Sequence, residues 1–186
     1  MKELSLHILD VAENGITAGG NLIHIRIIEA RCENRLKIII KDNGKGIAPA
    51  EIDKVTDPFV TSRTTRRVGL GLSLFKAAAL QCKGHFSIKS KPGKGTAVTA
   101  DFQYDHIDRA PVGDMASTVM TLIAGNPGID FYYDHVINGK EFTFDTREIR
   151  KALEGVPLSD PAVIQHLTQS IREALAEMDL KDRNNQ

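Results

Sequence analysis

Apolar positions Leu4, Ile8, Val11 and Ala12 recur at helical spacing and stop at Gly19-Gly20, which predicts an amphipathic helix over residues 3–18. Residues 22–30 and 36–41 are short, β-branched and separated by polar positions, the pattern of an antiparallel strand pair. Asp42-Asn43-Gly44-Lys45-Gly46 is a turn by composition. Residues 48–55 suit a short helix, 57–68 lack periodicity and read as a loop, and 70–81 return to a helical pattern. Strands follow near 85–89 and 96–104, around the turn Pro92-Gly93-Lys94-Gly95. Helix, two strands, helix, two strands suits a two-layer α/β sandwich: helices on one face of a mixed, mainly antiparallel sheet.

The pattern weakens at 105–114, where Pro111 and Gly113 appear, and a boundary is expected there. It divides the chain into a unit 1–104 and a small α+β region 105–186. In the second part, 115–124 reads as a helix and Asn138-Gly139 as the turn of a hairpin between 131–137 and 141–144. That hairpin is one way to lengthen the sheet of the first part. Residues 145–153 look helical, and Ser159-Asp160-Pro161 opens a last helix to about residue 180.

Composition narrows the class. At 186 residues, with 41% apolar and 26% charged positions, the chain is neither disordered nor fibrous. No run approaches the roughly 20 apolar residues of a membrane span, and no leader pattern opens the chain, so no membrane partner is expected. Cys32 and Cys82 make no disulfide framework; they are expected as core residues in a cytoplasmic protein. The net charge of zero conceals a division: residues 1–104 hold 16 basic against 10 acidic side chains, a balance of +6, and residues 105–186 hold 8 against 14. Positions 58–100 contain eight Lys and Arg and no carboxylate, yet include the apolar, glycine-rich Val68-Gly69-Leu70-Gly71-Leu72-Ser73-Leu74. A basic field around such a run points to a phosphate-bearing ligand. Nucleic acid is disfavoured, because the basic positions are interrupted by apolar ones and aromatic residues make up 5% of the chain.

Four elements carry candidate chemistry. His7, Asp10, Asn14 and Thr17 form one polar stripe on the first helix. Such a stripe ordinarily faces water, but an Asn amide oxygen also suits Mg²⁺ held with phosphates, and an Asp one turn away can orient or deprotonate water. In Asp42-x-Gly44-x-Gly46, glycines allow close backbone approach to a flat ligand while the carboxylate accepts from an exocyclic amine. Gly69-Leu70-Gly71-Leu72 opens a helix, whose free N–H groups attract phosphate. Gly93-Lys94-Gly95-Thr96 starts a strand and by itself is a hairpin turn.

Asn14, Asp42-Asn43-Gly44-Lys45-Gly46, Pro58-Phe59, Gly69-Leu70-Gly71-Leu72 and Gly93-Lys94-Gly95-Thr96, in this order, resemble the histidine-kinase-like ATPase superfamily. The superfamily includes gyrase, the heat-shock chaperone ATPase, sensor histidine kinases and the mismatch-repair ATPase. The resemblance covers residues 1 to about 104 and implies the family's α/β sandwich with ATP and Mg²⁺ bound. No P-loop or dinucleotide fingerprint is present.

By resemblance, Asn14 is the Mg²⁺ ligand and Asp42 the residue that recognises the adenine amino group, with Gly44 and Gly46 shaping that wall. Thr96 supports adenine recognition. Gly69 and Gly71, with Leu70 and Leu72, end a short lid over residues 59–68, in which Arg63 faces phosphate. Where many members have a Glu base four residues before the asparagine, this chain has Asp10; Glu13 is a second carboxylate within reach. Only about two residues precede the first helix, so a phosphoacceptor-histidine region is not expected in this chain. The six histidines read as structural or solvent-exposed. The resemblance thus implies a Mg-ATP-binding regulatory protein that hydrolyses ATP or transfers its γ-phosphate to a separate protein. The alternative is a non-catalytic module whose partner binding is gated by ATP. Residues 105–186 match no motif; packing on the first part, forming a homodimer and meeting a protein partner all remain open to them.

Overall fold

A computed structural model describes residues 2–56 and 70–184. Its elements run α1 (Leu4–Thr17), β1 (Leu22–Ala30), a 3-10 turn (Arg31–Glu33), β2 (Arg35–Asp42), α2 (Pro49–Val55), α3 (Leu70–Gln81), β3 (His85–Lys91) and β4 (Gly95–Gln103). α4 (Met115–Gly125), β5 (Asp130–Ile137), β6 (Lys140–Asp145), α5 (Thr146–Ala152) and α6 (Pro161–Arg183) follow. The described strands form one six-stranded sheet in the order β3-β4-β2-β1-β5-β6. Every described pairing is antiparallel except β1 with β5, so the sheet is mixed and mainly antiparallel as expected. The hairpin around Asn138-Gly139 does lengthen it, through the parallel β1–β5 contact.

Alternation decides which face meets the helices. Ile23, Ile25 and Ile27 of β1 are buried at every second position, as are Leu36, Ile38 and Ile40 of β2, Val98, Ala100 and Phe102 of β4, and Phe131 and Tyr133 of β5. They share one core with Leu4, Ile8, Val11 and Ala12 of α1, Phe75 and Ala79 of α3, and Val119, Leu122 and Ile123 of α4. α1 lies at the centre of the helix layer, packing on β1, β2, α3 and α4. Asp114 and Asp160 cap α4 and α6 by accepting from backbone N–H groups of the first turn.

Glu29 continues the buried side of β1, with 6% of its surface exposed. Its carboxylate accepts from His135 Nε2 at 2.8 Å, from Arg31 at 2.9 Å and from Tyr104 Oη at 3.0 Å. Arg31 also pairs with Asp179 and Asp182 at the end of α6, which ties the last helix to the sheet. Burial pushes the Glu29 carboxyl up, but His135 and Arg31 outweigh it and hold it down at about 2. The 3-10 turn that brings Arg31 into place was not anticipated. Cys82 is buried as expected; Cys32 is exposed on that turn, so the core assignment holds for one cysteine of the two.

His7 is buried and stacks on Phe75, with ring centroids 5.2 Å apart, while its Nδ1 has no hydrogen-bond partner among the described residues. Burial lowers its pKa to about 4. Between pH 6.5 and 4 the unfolded chain therefore binds a proton here that the folded protein refuses, and stability falls as pH falls through that window. Taking the sample from pH 7 to 4.5 is expected to cost about 2 kcal/mol through His7 alone. His7→Phe, which keeps the ring stack, should flatten that part of the pH dependence in urea unfolding. An unchanged slope would show that His7 is not the group responsible. Below about pH 4.5 the Glu29 cluster adds a second loss, since its carboxylate then protonates in the unfolded chain first.

Candidate functional site

At one end of the sheet β2 runs out at Asp42, whose partner across the ladder on β4 is Thr96. Residues paired in this way project to the same face, so both side chains lie beneath the helix layer. Asp42 Oδ1 accepts from Gly44 N at 2.8 Å, and its other carboxylate oxygen makes no hydrogen bond among the described residues and is available to a ligand. Thr96 is also paired with Ser90 of β3, and the two hydroxyls meet at 2.9 Å. Ser90 Oγ further accepts from Ile47 N at 2.8 Å and donates to Gly95 O. Lys45 N donates to Ala18 O and Gly93 N to Lys45 O. The turn after β2 is thus pinned both to the end of α1 and to the β3–β4 hairpin.

Two glycines let these backbones converge. A Cβ on Gly15 would stand 2.7 Å from Asp42 Cβ, so glycine is what allows α1 to lie against the end of β2. Gly95 has φ +93, and a Cβ there would overlap the Asp42 carbonyl group. Gly44 lies beside Ala18 O, and Gly46, at φ +69, beside Lys91 O.

Between these elements lies a cavity of about 440 Å³. Val11, Ile47, Val55, Leu72 and Val98 give it apolar walls, and Asn14, Thr17, Asp42 and Thr96 supply polar groups. Apolar walls with a few convergent polar atoms are the ordinary make-up of a small-molecule site. Asn14 stands on α1, half-buried, and its side chain makes no hydrogen bond among the described residues. That free amide suits a Mg²⁺ ion held mostly by phosphates and water, which needs few protein ligands. Among the described residues no group of three or more His, Cys, Asp or Glu could cage a metal.

The polar stripe of α1 does not simply face water. His7 stacks on Phe75; one turn on, Asp10 lies against the first turn of α3, where a Cβ on Gly71 would come within 3.2 Å of Asp10 Oδ2. Burial raises the Asp10 pKa above the usual carboxylate value, which makes it the stronger proton acceptor once ionised. Glu13 is exposed, and neither carboxylate lines the 440 Å³ cavity. Leu70 begins α3 and Leu72 reaches the cavity. Arg63, Gly69, Pro58-Phe59 and the loop 59–68 lie outside the described residues.

Residues 2–106, more than half of the chain, match the family described as histidine kinase-, DNA gyrase B- and HSP90-like ATPases. The chain belongs to this family. Among curated relatives of this ATPase domain, the phosphate regulon sensor protein PhoR of Haemophilus influenzae is 36% identical over 89 residues, 45% of this chain and 21% of that protein. The tetrathionate sensor histidine kinase TtrS of Salmonella typhimurium is 32% identical over 115 residues, 60% of this chain and 18% of that one. The chain therefore spans about a fifth of either relative. In fold it is similar to the ATPase domain of MutL from Aquifex aeolicus complexed with ADP, with a TM-score of 0.52 and 15% identity over 83% of this chain and 70% of that one. No described helix is long and apolar enough to cross a membrane.

Ser90 and Gly15 escaped the sequence reading. Ser90 sits just before the Pro92-Gly93 turn with no motif of its own, and Gly15 is a lone glycine inside a helical pattern, where a close backbone approach is the signal it carries. Gly93 and Gly95 provide a test. Both have positive φ, but a Cβ on Gly93 meets open space. Gly93→Ala is expected to cost about 1 kcal/mol, while Gly95→Ala should cost about 3 kcal/mol and weaken ligand binding at Asp42. Equal urea midpoints for the two variants would show that the convergence on Asp42 is not as tight as described.

Proposed function

We propose that this chain binds Mg-ATP in the 440 Å³ cavity and hydrolyses it or passes its γ-phosphate to a separate protein. One observation carries the reading: Asp42 and Thr96 are partners across the ladder on the cavity's floor, beneath an unpaired Asn14 on α1. In this reading the Asp42 carboxylate accepts from the adenine amino group, and Thr96, its hydroxyl set by Ser90, supports the ring edge. Apolar walls cover the ring faces. The phosphates extend toward the first turn of α3, where unsatisfied N–H groups and the helix dipole favour negative charge.

Asn14 would hold a bound Mg²⁺, which would neutralise phosphate charge. Asp10, beside Gly71 at that same helix start, takes the proton of an attacking water or hydroxyl; Glu13 projects away and is the weaker candidate. Arg63 and Gly69 belong to the proposed lid. Residues 1–104 act as the nucleotide-binding unit, and 105–186 brace its sheet through β5, β6 and α6. The two free cysteines are compatible with a cytoplasmic location.

Nucleotide titrations with and without Mg²⁺ test the site. Asp42→Asn should weaken ATP binding at least tenfold, about 1.4 kcal/mol, with the fold intact by circular dichroism. Asn14→Ala should abolish the Mg²⁺ dependence while leaving weaker binding of the free nucleotide. Unchanged affinity in both variants would remove the proposal. Where turnover is measured, Asp10→Asn should lower it about 100-fold, with Glu13→Gln within twofold of the parent. The reverse ranking would move the base to Glu13. Tight binding with no turnover and no phosphoryl transfer would favour an ATP-gated interaction module.

A further inference from the structure

The face of the sheet turned away from the helices has its own charge pattern. Lys41 of β2, Ala97 of β4 and Lys89 of β3 form one cross-strand row, and in the next row Lys91 faces Gly95. Because Ala97 and Gly95 rise little above the backbone, the rows sink into a depression of about 350 Å³ walled by Lys41, Lys89, Lys91 and Lys94. All four lysines are exposed, and none makes an ion pair among the described residues, whereas nearby Arg35 and Lys37 share Asp101. Asp42 borders the depression but turns its carboxylate to the other face, against Gly44 N. Like charges set together on a sheet repel one another, and an anionic partner relieves that repulsion.

The chain's own acidic half does not supply that partner readily. Half of its fourteen carboxylates, among them Asp130, Asp145, Asp179 and Asp182, are already engaged by arginines. Nor do the walls and floor of the depression offer an aromatic or Arg side chain on which bases would stack. β3 is the edge strand of the sheet, so an extended segment can reach the lysines from the open side.

We infer that this depression is a docking site for an acidic segment of a partner protein, carried on the reverse side of the strands that form the proposed adenine wall. The docking does not depend on nucleotide being bound. The chain of 186 residues is titrated against a fluorescein-labelled peptide of alternating Glu and Ala, read by fluorescence anisotropy at low salt. K41Q/K89Q/K91Q/K94Q should lose at least tenfold in peptide affinity while ATP affinity, measured separately, stays within twofold. K45Q/K54Q, on the cavity side, should change peptide affinity less than twofold. In the wild-type protein, amide exchange over residues 89–97 should slow when the peptide is added, a reading that needs no variant to fold. Unchanged peptide affinity in the quadruple variant, an equal loss in K45Q/K54Q, or slowed exchange only in α1 and α2 would each overturn the assignment. So would tighter binding of a single-stranded oligonucleotide that is lost in the same quadruple variant.

Discussion

Three backbones converge on Asp42, and the candidate site exists because they can. α1 reaches it where Gly15 has no side chain, β4 where Gly95 has neither a Cβ nor a negative φ, and the following turn through the Gly44 amide. Each contact constrains the others: moving α1 outward would carry Asn14 away from Thr96, and moving β4 would break the row that sets the Thr96 hydroxyl against Ser90. A close-packed interior transmits such shifts rather than absorbing them. The geometry of the cavity is therefore a property of the backbone, and the polar side chains are placed by it.

The Glu29 cluster has the same kind of role at the other end of β1. A carboxylate this buried requires partners, and it has them in His135 on β5, Arg31 on the turn after β1 and Tyr104 just beyond β4. Through Arg31 the cluster also holds Asp179 and Asp182 of α6. It links residues brought from both halves of the chain. The strand pairing of β1 with β5 makes the same link through the main chain. The change of composition at 105–114 accordingly falls within a continuous sheet.

Much of this fold was legible in the sequence because its elements are regular. The period of 3.6 in α1 and the short β-branched run of β1 gave both elements, and α3 runs from Leu70 to Gln81 as the pattern predicted. Asn14, Asp42 and Thr96 were legible as a set because each stands beside a glycine or a turn at a recognisable spacing. What could not be read were pairings between distant residues. Nothing local to Glu29 announces His135, 106 positions away, and nothing local to Arg31 announces Asp179 and Asp182. Gly15 reads as a weak point in a helix until the partner that needs its missing side chain is known. The direction of the α1 stripe was similarly hidden: periodicity groups His7, Asp10, Asn14 and Thr17 on one face but does not say what covers that face.

The charge distribution takes on a different meaning once the strands are in place. In sequence, positions 58–100 form a single acid-free stretch that suggests one anionic ligand. In the sheet, alternation splits that stretch between two faces. Ser90 and Thr96 turn toward the helices, while Lys89 and Lys91 turn away from them. Lysines on the reverse face cannot reach phosphates in a cavity on the helix side, because the sheet stands between. From this stretch the first turn of α3 stands on the helix side, beside Asp10 of α1. The lysines of β3 and of the turn after it need a separate explanation, and none of them pairs with a carboxylate among the described residues. A basic stretch that is one feature in sequence is thus divided by the sheet, and the lysines of β3 lie on the side away from the 440 Å³ cavity.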